Sequence, residues 1–549
     1  MPTIDLVTLL LFTALIFICG MSFSRSGSNV KSYFAAGGSL PWWMSGLSLF
    51  MSFFSAGTFV VWGSIAYTSG WVAVTIQWTM SIAGLVIGLF IAPRWHKTRA
   101  MTAAQFISER LGPRIQQVYT YLFLLISMFT TGAFLYPVAK IVEVSTGIPI
   151  YASILCIGVL ILIYTATGGL WAVIVTDVLQ FVVLTAAVFI VVPLALDQVG
   201  GLGGFIEQAP ADLFELTNSE YTWGFMLAFG LYNLFFIAGN WAYVQRYTSV
   251  STPKDAQKVG WLFSALYIIS PVIWMLPPMI YRTMNPSLEG LADEGAYLLM
   301  CQKVLPVGMM GLMIGGMVFA TSSSVNTTLN ISAGVLTHDL YRGFFPKTSS
   351  EKLLKIGRLS TVILGLITIV VALLVPAMGG IVEVVMGLAA VTGGAMFLPP
   401  IWALFSKRLT GRTALVTTLV ALVINGFFKF IMPHTIGHSF DRMEEMSVGV
   451  GIPLLLLTAF EAWGYFTGGS TADYDQYQAT RTVPVQEDPL PTSNSENRQG
   501  VRVFGMGTTA TGVLIFILAL MGNESQLLVG SMGILITLLG SIITLKNKR

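Results

Sequence analysis

One stretch of this chain is unusually polar for its surroundings: Thr321-Ser322-Ser323-Ser324-Val325-Asn326-Thr327-Thr328-Leu329-Asn330 follows directly on an apolar run. Helical spacing puts Ser323, Asn326 and Thr327 on one face, with Ser324 and Thr328 beside it. A hard cation such as sodium wants several oxygens at once, and hydroxyls joined by carbonyls from an interrupted helix supply them. Hydroxyls in such a run also bond neighbouring helices, so spacing alone leaves both roles open. Asp177, in Ile174-Val175-Thr176-Asp177-Val178-Leu179-Gln180, is an ionisable group inside a second apolar run. Such groups are functional candidates by default, although one this near a helix end also suits a structural carboxylate. Glu383 and Glu461 fall near the ends of apolar runs and read as structural. Enzymatic chemistry is not expected. The one close histidine pair, His434 and His438, has only Asp441 nearby, and there is no HExxH, GxSxG, Walker loop or paired catalytic carboxylates. Cys19, Cys156 and Cys301 are too scattered for a disulfide framework or a transition-metal site.

The elements that position these residues must cross a membrane. Hydrophobic residues make up 55% of the chain and charged ones 10%, against about 25% charged in a soluble domain. Apolar runs of about 18 to 28 residues recur from end to end, each long enough for a hydrocarbon core of about 30 Å. The first follows Met-Pro-Thr-Ile-Asp, which lacks the basic region of a signal peptide, and is expected to remain as a helix. About fifteen spans are expected: one leading, ten in a core, four trailing. The core spans begin near Pro41, Trp71, Gln116, Ile150, Leu170, Thr222, Lys258, Leu305, Leu359 and Gly380, and the trailing ones near Arg412, Val448, Phe504 and Glu524. The expected division is 1–40 (leading helix and loop), 41–406 (core), 407–467 (two trailing helices), 468–502 (a flexible linker rich in Pro, Ser, Thr, Asn, Gln and Asp) and 503–549 (two last helices). Alternate loops hold 24 of the 29 lysines and arginines. That bias predicts a multi-pass cell-membrane protein, N-terminus outside and C-terminus cytoplasmic. The net charge of +3 therefore reflects orientation and carries no implication of nucleic-acid binding. An echo, Phe53-Phe54-Ser55-Ala56-Gly57-Thr58 against Phe235-Phe236-Ile237-Ala238-Gly239-Asn240, lies five spans apart. An odd separation inverts the second copy, the arrangement by which many secondary transporters build a site from interrupted helices.

Four stretches resemble the sodium:solute symporter family, whose sodium/glucose cotransporters have the leucine-transporter-type fold. They are Ser39-Leu40-Pro41-Trp42-Trp43, Tyr164-Thr165-Ala166-Thr167-Gly168-Gly169-Leu170 through Thr176-Asp177, Gln245-Arg246-Tyr247, and Ser323-Ser324 through Asp339-Leu340-Tyr341. Order and spacing match over roughly residues 1 to 470. The resemblance implies an all-α polytopic membrane protein with a five-plus-five inverted-repeat core, importing a small polar solute with sodium by alternating access. A passive channel or a transport-derived sensor is the alternative. It implies a sodium held by the carbonyls of Met51, Phe54 and Ala320 and the hydroxyls of Ser323 and Ser324. A second sodium in some members would fall on Asp177, Ser323, Asn326 and Thr327, where asparagine at 326 departs from the serine of two-sodium members. Solute positions fall on Thr58, Gln77, Asn233, Phe236 and Tyr267. Only Asn233 keeps the residue of the sugar-transporting members. No Arg or Lys is expected deep in core helices one, two or six, so a strongly anionic solute lacks a counter-charge, although helix-break amides can hold one carboxylate. Neutral sugars or polyols rank first, then carboxylates or amino acids.

Overall fold

A computed structural model describes residues 2–22, 40–100, 102–164, 170–288, 290–334, 348–468, 470–482, 493–522 and 525–547, with positions 336, 337, 341 and 345 between. The family-like stretches at 165–169 and 338–340, and the basic loop holding Arg25 and Lys31, lie outside the described residues. Every named element among the described residues is helical. Ten helices are long and apolar enough to cross a membrane, eleven if one bent pair counts as a span, and three shorter apolar helices accompany them.

The leading helix α1 (Thr3–Met21) is followed by α2 (Trp42–Met51), an interruption, and α3 (Gly63–Ser69). Next come α4 (Val72–Val86), which runs on to Lys97, then the short α5 (Ala103–Leu111), α6 (Pro113–Thr146), α7 (Ile150–Tyr164), α8 (Leu170–Asp197) and the short α9 (Gly201–Gln208). Helices α10 (Trp223–Gly239) and α11 (Trp241–Thr248) form the bent pair, at 61°. Beyond them lie α12 (Pro253–Trp274), α13 (Leu276–Met284), α14 (Ala296–Val304), α15 (Met309–Gly334), α16 (Ser350–Leu374) and α17 (Ile381–Ala403). The chain closes with α18 (Gly411–Gly426), α19 (Arg442–Thr467), α20 (Ala472–Thr482), α21 (Ser493–Met521) and α22 (Gln526–Lys546).

Expected starts at Pro41, Trp71, Ile150, Leu170, Thr222, Gly380 and Arg412 fall within one residue of the observed helices. Those at Lys258 and Leu359 were placed late, because α12 and α16 each add a polar first turn. Thr252 and Ser349 cap these turns by accepting from the N–H groups of Asp255 and Lys352. The stretch expected as a flexible linker contains α20, which docks on α5. Arg110 lies over the Tyr474 ring, Tyr477 meets Phe106 edge-on, and Thr471 N–H donates to Lys407 O. Buried aromatic contact offsets the ordering entropy of an otherwise polar segment. Residues 483–492 lie outside the described set.

With lipid outside, close packing replaces the hydrophobic effect as the glue between spans. Helices α4 and α12 meet where a Cβ added to Gly260 would lie 2.6 Å from Gly88 Cα. The last two helices, α21 and α22, meet in the same way through Gly512 and Gly533. Their outward residues, such as Leu527 and Leu545, are exposed in the manner of lipid-facing side chains.

Candidate functional site

The site starts from the interruption after α2. In a continuous helix the N–H of Ser55 would return to Met51 O, that of Ala56 to Ser52 O, and that of Thr58 to Phe54 O. Here Ser55 N–H donates to Thr58 Oγ1 at 3.1 Å, Ala56 N–H to Thr321 Oγ1 at 3.0 Å, and Thr58 N–H to Ser55 O at 3.0 Å. The carbonyls of Met51 and Phe54 lose these helical donors. Small residues at Ser55, Ala56 and Gly57 let α15 come close enough for its Thr321 hydroxyl to reach the Ala56 amide. Thr321 also donates to Met317 O at 3.0 Å, so both its bonds are fixed.

The second interruption separates α10 from α11 at Asn240, whose backbone is extended with φ −65 and ψ 130. Asn240 Oδ1 caps α11 by accepting from Ala242 N–H at 3.0 Å. Unlike the first break, this one is closed by protein donors: Trp95 Nε1 donates to Ala238 O at 2.8 Å and the Tyr247 hydroxyl to Ile237 O at 3.2 Å. The two breaks thus differ in chemistry. The first frees oxygens and the second has its own taken.

Between the breaks lies a cavity of about 230 Å³ whose wall includes Met51, Asn233, Phe236, Tyr267 and Ser324. Aromatic rings dominate it. Phe236 packs edge-on against Phe53, Tyr243 and Phe397, with centroids 6.1, 5.5 and 5.3 Å away. Asn233 Nδ2 donates to Thr79 Oγ1 at 2.9 Å, which leaves its Oδ1 as the acceptor it can offer a ligand. Tyr267 packs against Phe50 and Phe263 at 5.1 and 4.8 Å. Thr58 also borders the cavity, yet its hydroxyl is engaged within the break, donating to Phe53 O as well as accepting from Ser55. Gln77 is buried away from the cavity wall and donates to Ala73 O of its own helix at 3.3 Å. Phe54 and Ala320 are buried just behind the wall, Phe54 stacked on Trp274 at 3.4 Å. The side chains of Ser323, Asn326 and Thr327 lie outside the described set, although the helix that carries them is described.

Arg246 is the residue that sequence reasoning left out. Placed in a loop by its neighbours, it instead sits inside α11, 5% exposed, and borders the cavity. Helix six resumes after Asn240 and carries it inward, so the expectation of no deep cation in that helix is corrected. Its partner is Asp177: Nη2 to Oδ2 is 3.8 Å, and Ser48 Oγ donates to the same carboxylate oxygen at 2.7 Å. The signal lay in the sequence, since an acid in one span calls for a base in another. These two are the charged residues among the described cavity wall, and they neutralise one another. Glu383 and Glu461 lie elsewhere, paired with Lys429 and Arg408.

Comparison with known proteins agrees with this geometry. The sodium:solute symporter family matches residues 33–421. A sodium/glucose cotransporter of Vibrio parahaemolyticus is 26% identical, over 78% of this chain and 85% of its own length. A sodium/sialic acid symporter of Aliivibrio fischeri is also 26% identical, over 76% of this chain and 86% of its own. The solved substrate-bound, outward-open structure of a Na+-coupled sialic acid symporter superposes with a TM-score of 0.69 at 21% identity, covering 86% of this chain and 99% of that one. An interrupted first core helix beside a hydroxyl-rich eighth, in a chain that matches the family over most of its length, makes this protein a member of the sodium:solute symporter family, with sodium as its coupling ion.

Proposed function

We propose that the chain imports a small neutral polar solute, a sugar or polyol before a carboxylate or amino acid, by alternating access driven by sodium entry. The observation that carries this reading is the break after α2, where the carbonyls of Met51 and Phe54 lose their helical donors beside the polar run of α15. Sodium takes those carbonyls, Ala320 O and the hydroxyls of Ser323 and Ser324, an all-oxygen set that suits a hard cation. Asp177, with Asn326 and Thr327, is the candidate second cation position. The solute lies against Phe236 and Tyr267 and bonds Asn233, while Thr58 and Gln77 shape the site from behind. Aromatic faces suit the apolar faces of a sugar ring, and a wall whose two charges cancel offers a carboxylate no free counter-charge.

In this reading about fifteen spans comprise a five-plus-five inverted-repeat core, 41–406, flanked by a leading helix and by the trailing pairs 407–467 and 503–549. The loops rich in lysine and arginine face the cytoplasm, with the N-terminus outside. The experiment is uptake into sealed vesicles under an inward sodium gradient, with a panel of neutral hexoses and polyols, sialic acid, and simple amino acids. Accumulation of a neutral compound that stops when potassium replaces sodium supports the reading. Downhill equilibration without accumulation would instead make the chain a channel, and accumulation of sialic acid alone would overturn the neutral-solute assignment.

A further inference from the structure

We infer that Arg246 is the resident cation at Asp177: its guanidinium fills the position a second sodium would need, and the chain holds one sodium rather than two. The inference deepens the proposed function at the Asp177 position and rests on reading the cavity as the transport route.

The geometry around Arg246 is complete. Nη2 faces Asp177 Oδ2 at 3.8 Å, Nε donates to Ser48 Oγ at 3.3 Å, and Nη1 donates to Ala242 O and Gln245 Oε1 at 3.2 and 3.4 Å. Ser48 in turn donates to Asp177 Oδ2 at 2.7 Å, so it bridges the two charges. The backbone of Arg246 is fastened as well, its carbonyl accepting from Ser45 Oγ at 2.8 Å. Three segments distant in sequence, α2, α8 and α11, thus meet at one buried pair. A guanidinium with each nitrogen engaged and its carbonyl tied down is not a side chain free to swing aside.

Charge balance decides the rest. Asp177 is 6% and Arg246 5% exposed, and the pair is neutral. Adding sodium at Asp177 while Arg246 stays would bury one uncompensated positive charge, which the low-dielectric interior opposes. Removing the guanidinium reverses the sign: the carboxylate is then buried without a partner and open to the cavity. A small cation is the species that would enter.

Equilibrium binding of radiolabelled sodium to the purified full-length chain, with choline as the replacing cation, tests this without knowledge of the solute. The wild type should bind one sodium per chain, Arg246→Gln two, and the double variant Arg246→Gln, Asp177→Asn one again. Asp177→Asn alone, which keeps Arg246 and its other bonds, should still bind one. Two sodium ions in the wild type, a loss of one on Asp177→Asn, or no gain in folded Arg246→Gln would overturn the inference. Failure of the proposed sodium position looks different: Ser324→Ala would then keep its sodium, whereas the gain in Arg246→Gln concerns Asp177 only.

Discussion

Thr321 links the break in helix one to α15, and replacing it by valine tests whether that link sustains the sodium position. Valine keeps the shape and removes the hydroxyl that accepts from Ala56 N–H and donates to Met317 O. The loss at Met317 is slight, because that carbonyl still lies within its helix. The loss at Ala56 is not, since the residue is fully buried and its amide would have no acceptor. An unsatisfied buried donor costs about 1–3 kcal/mol. That cost weakens sodium binding only in so far as the bound state needs the break held against α15. If it needs it fully, half-saturating sodium rises by about 5-fold to about 150-fold, at about 1.4 kcal/mol per factor of ten. The assay is sodium titration of purified protein by thermal shift, with Thr321→Ser as the variant that keeps the hydroxyl. Thr321→Ser should titrate near the wild type. A folded Thr321→Val with unchanged half-saturating sodium would refute the reasoning.

Ser324→Ala should raise half-saturating sodium by a similar factor, from the loss of one ion ligand at about 1–3 kcal/mol, while expression stays near the wild type; sodium-dependent uptake checks it. Asn233→Ala should weaken solute affinity without moving sodium affinity measured in the absence of solute, because its free Oδ1 faces the cavity while Ser324 lies on another helix. Coupled current in vesicles should reverse at the potential for one sodium per neutral solute; a charge crossing about 100 mV yields roughly 2.3 kcal/mol and a tenfold gradient about 1.4 kcal/mol more. Outside the spans, burial raises the carboxyl pKa of Glu294, which accepts from Ile381 N–H and the Tyr136 hydroxyl. A folded pKa above the unfolded one gives stability that is present at low pH and lost as pH rises through the folded value. The melting temperature should therefore fall over that rise, and Glu294→Gln should flatten the slope, leaving the part contributed by Asp293, which burial raises in the same direction.

Much of this was legible in the residues. Long apolar runs fixed the helices to within a residue wherever the run itself began the helix, as at Ile150 and Leu170. Where a polar, capped turn preceded the run, as at Pro253 and Ser350, hydropathy alone began too late. The break in helix one was foreshadowed by Ser55-Ala56-Gly57, but not which carbonyls it would free, since that depends on Thr58 and Thr321 taking the amide hydrogens. Thr58 shows why a site position is hard to read from one chain: a hydroxyl next to a cavity can be consumed by its own backbone. Arg246 shows the converse, as a span that bends at Asn240 carries into the interior a residue whose neighbours look like a loop. Residue type gave the acid in α8; only the fold supplied the base.

Whether sodium binds at the helix-one break is the central claim, and the melting temperature of the purified chain at constant ionic strength tests it most directly. A ligand that binds the folded state alone stabilises it by about 2.7 kcal/mol at one hundred times its dissociation constant. Exchanging choline for sodium should raise the melting temperature of the wild type in a saturable way, exchanging choline for potassium should not, and Ser324→Ala should move the sodium titration to higher concentration. Equal responses to sodium and potassium, or a sodium response untouched by Ser324→Ala, would contradict the account.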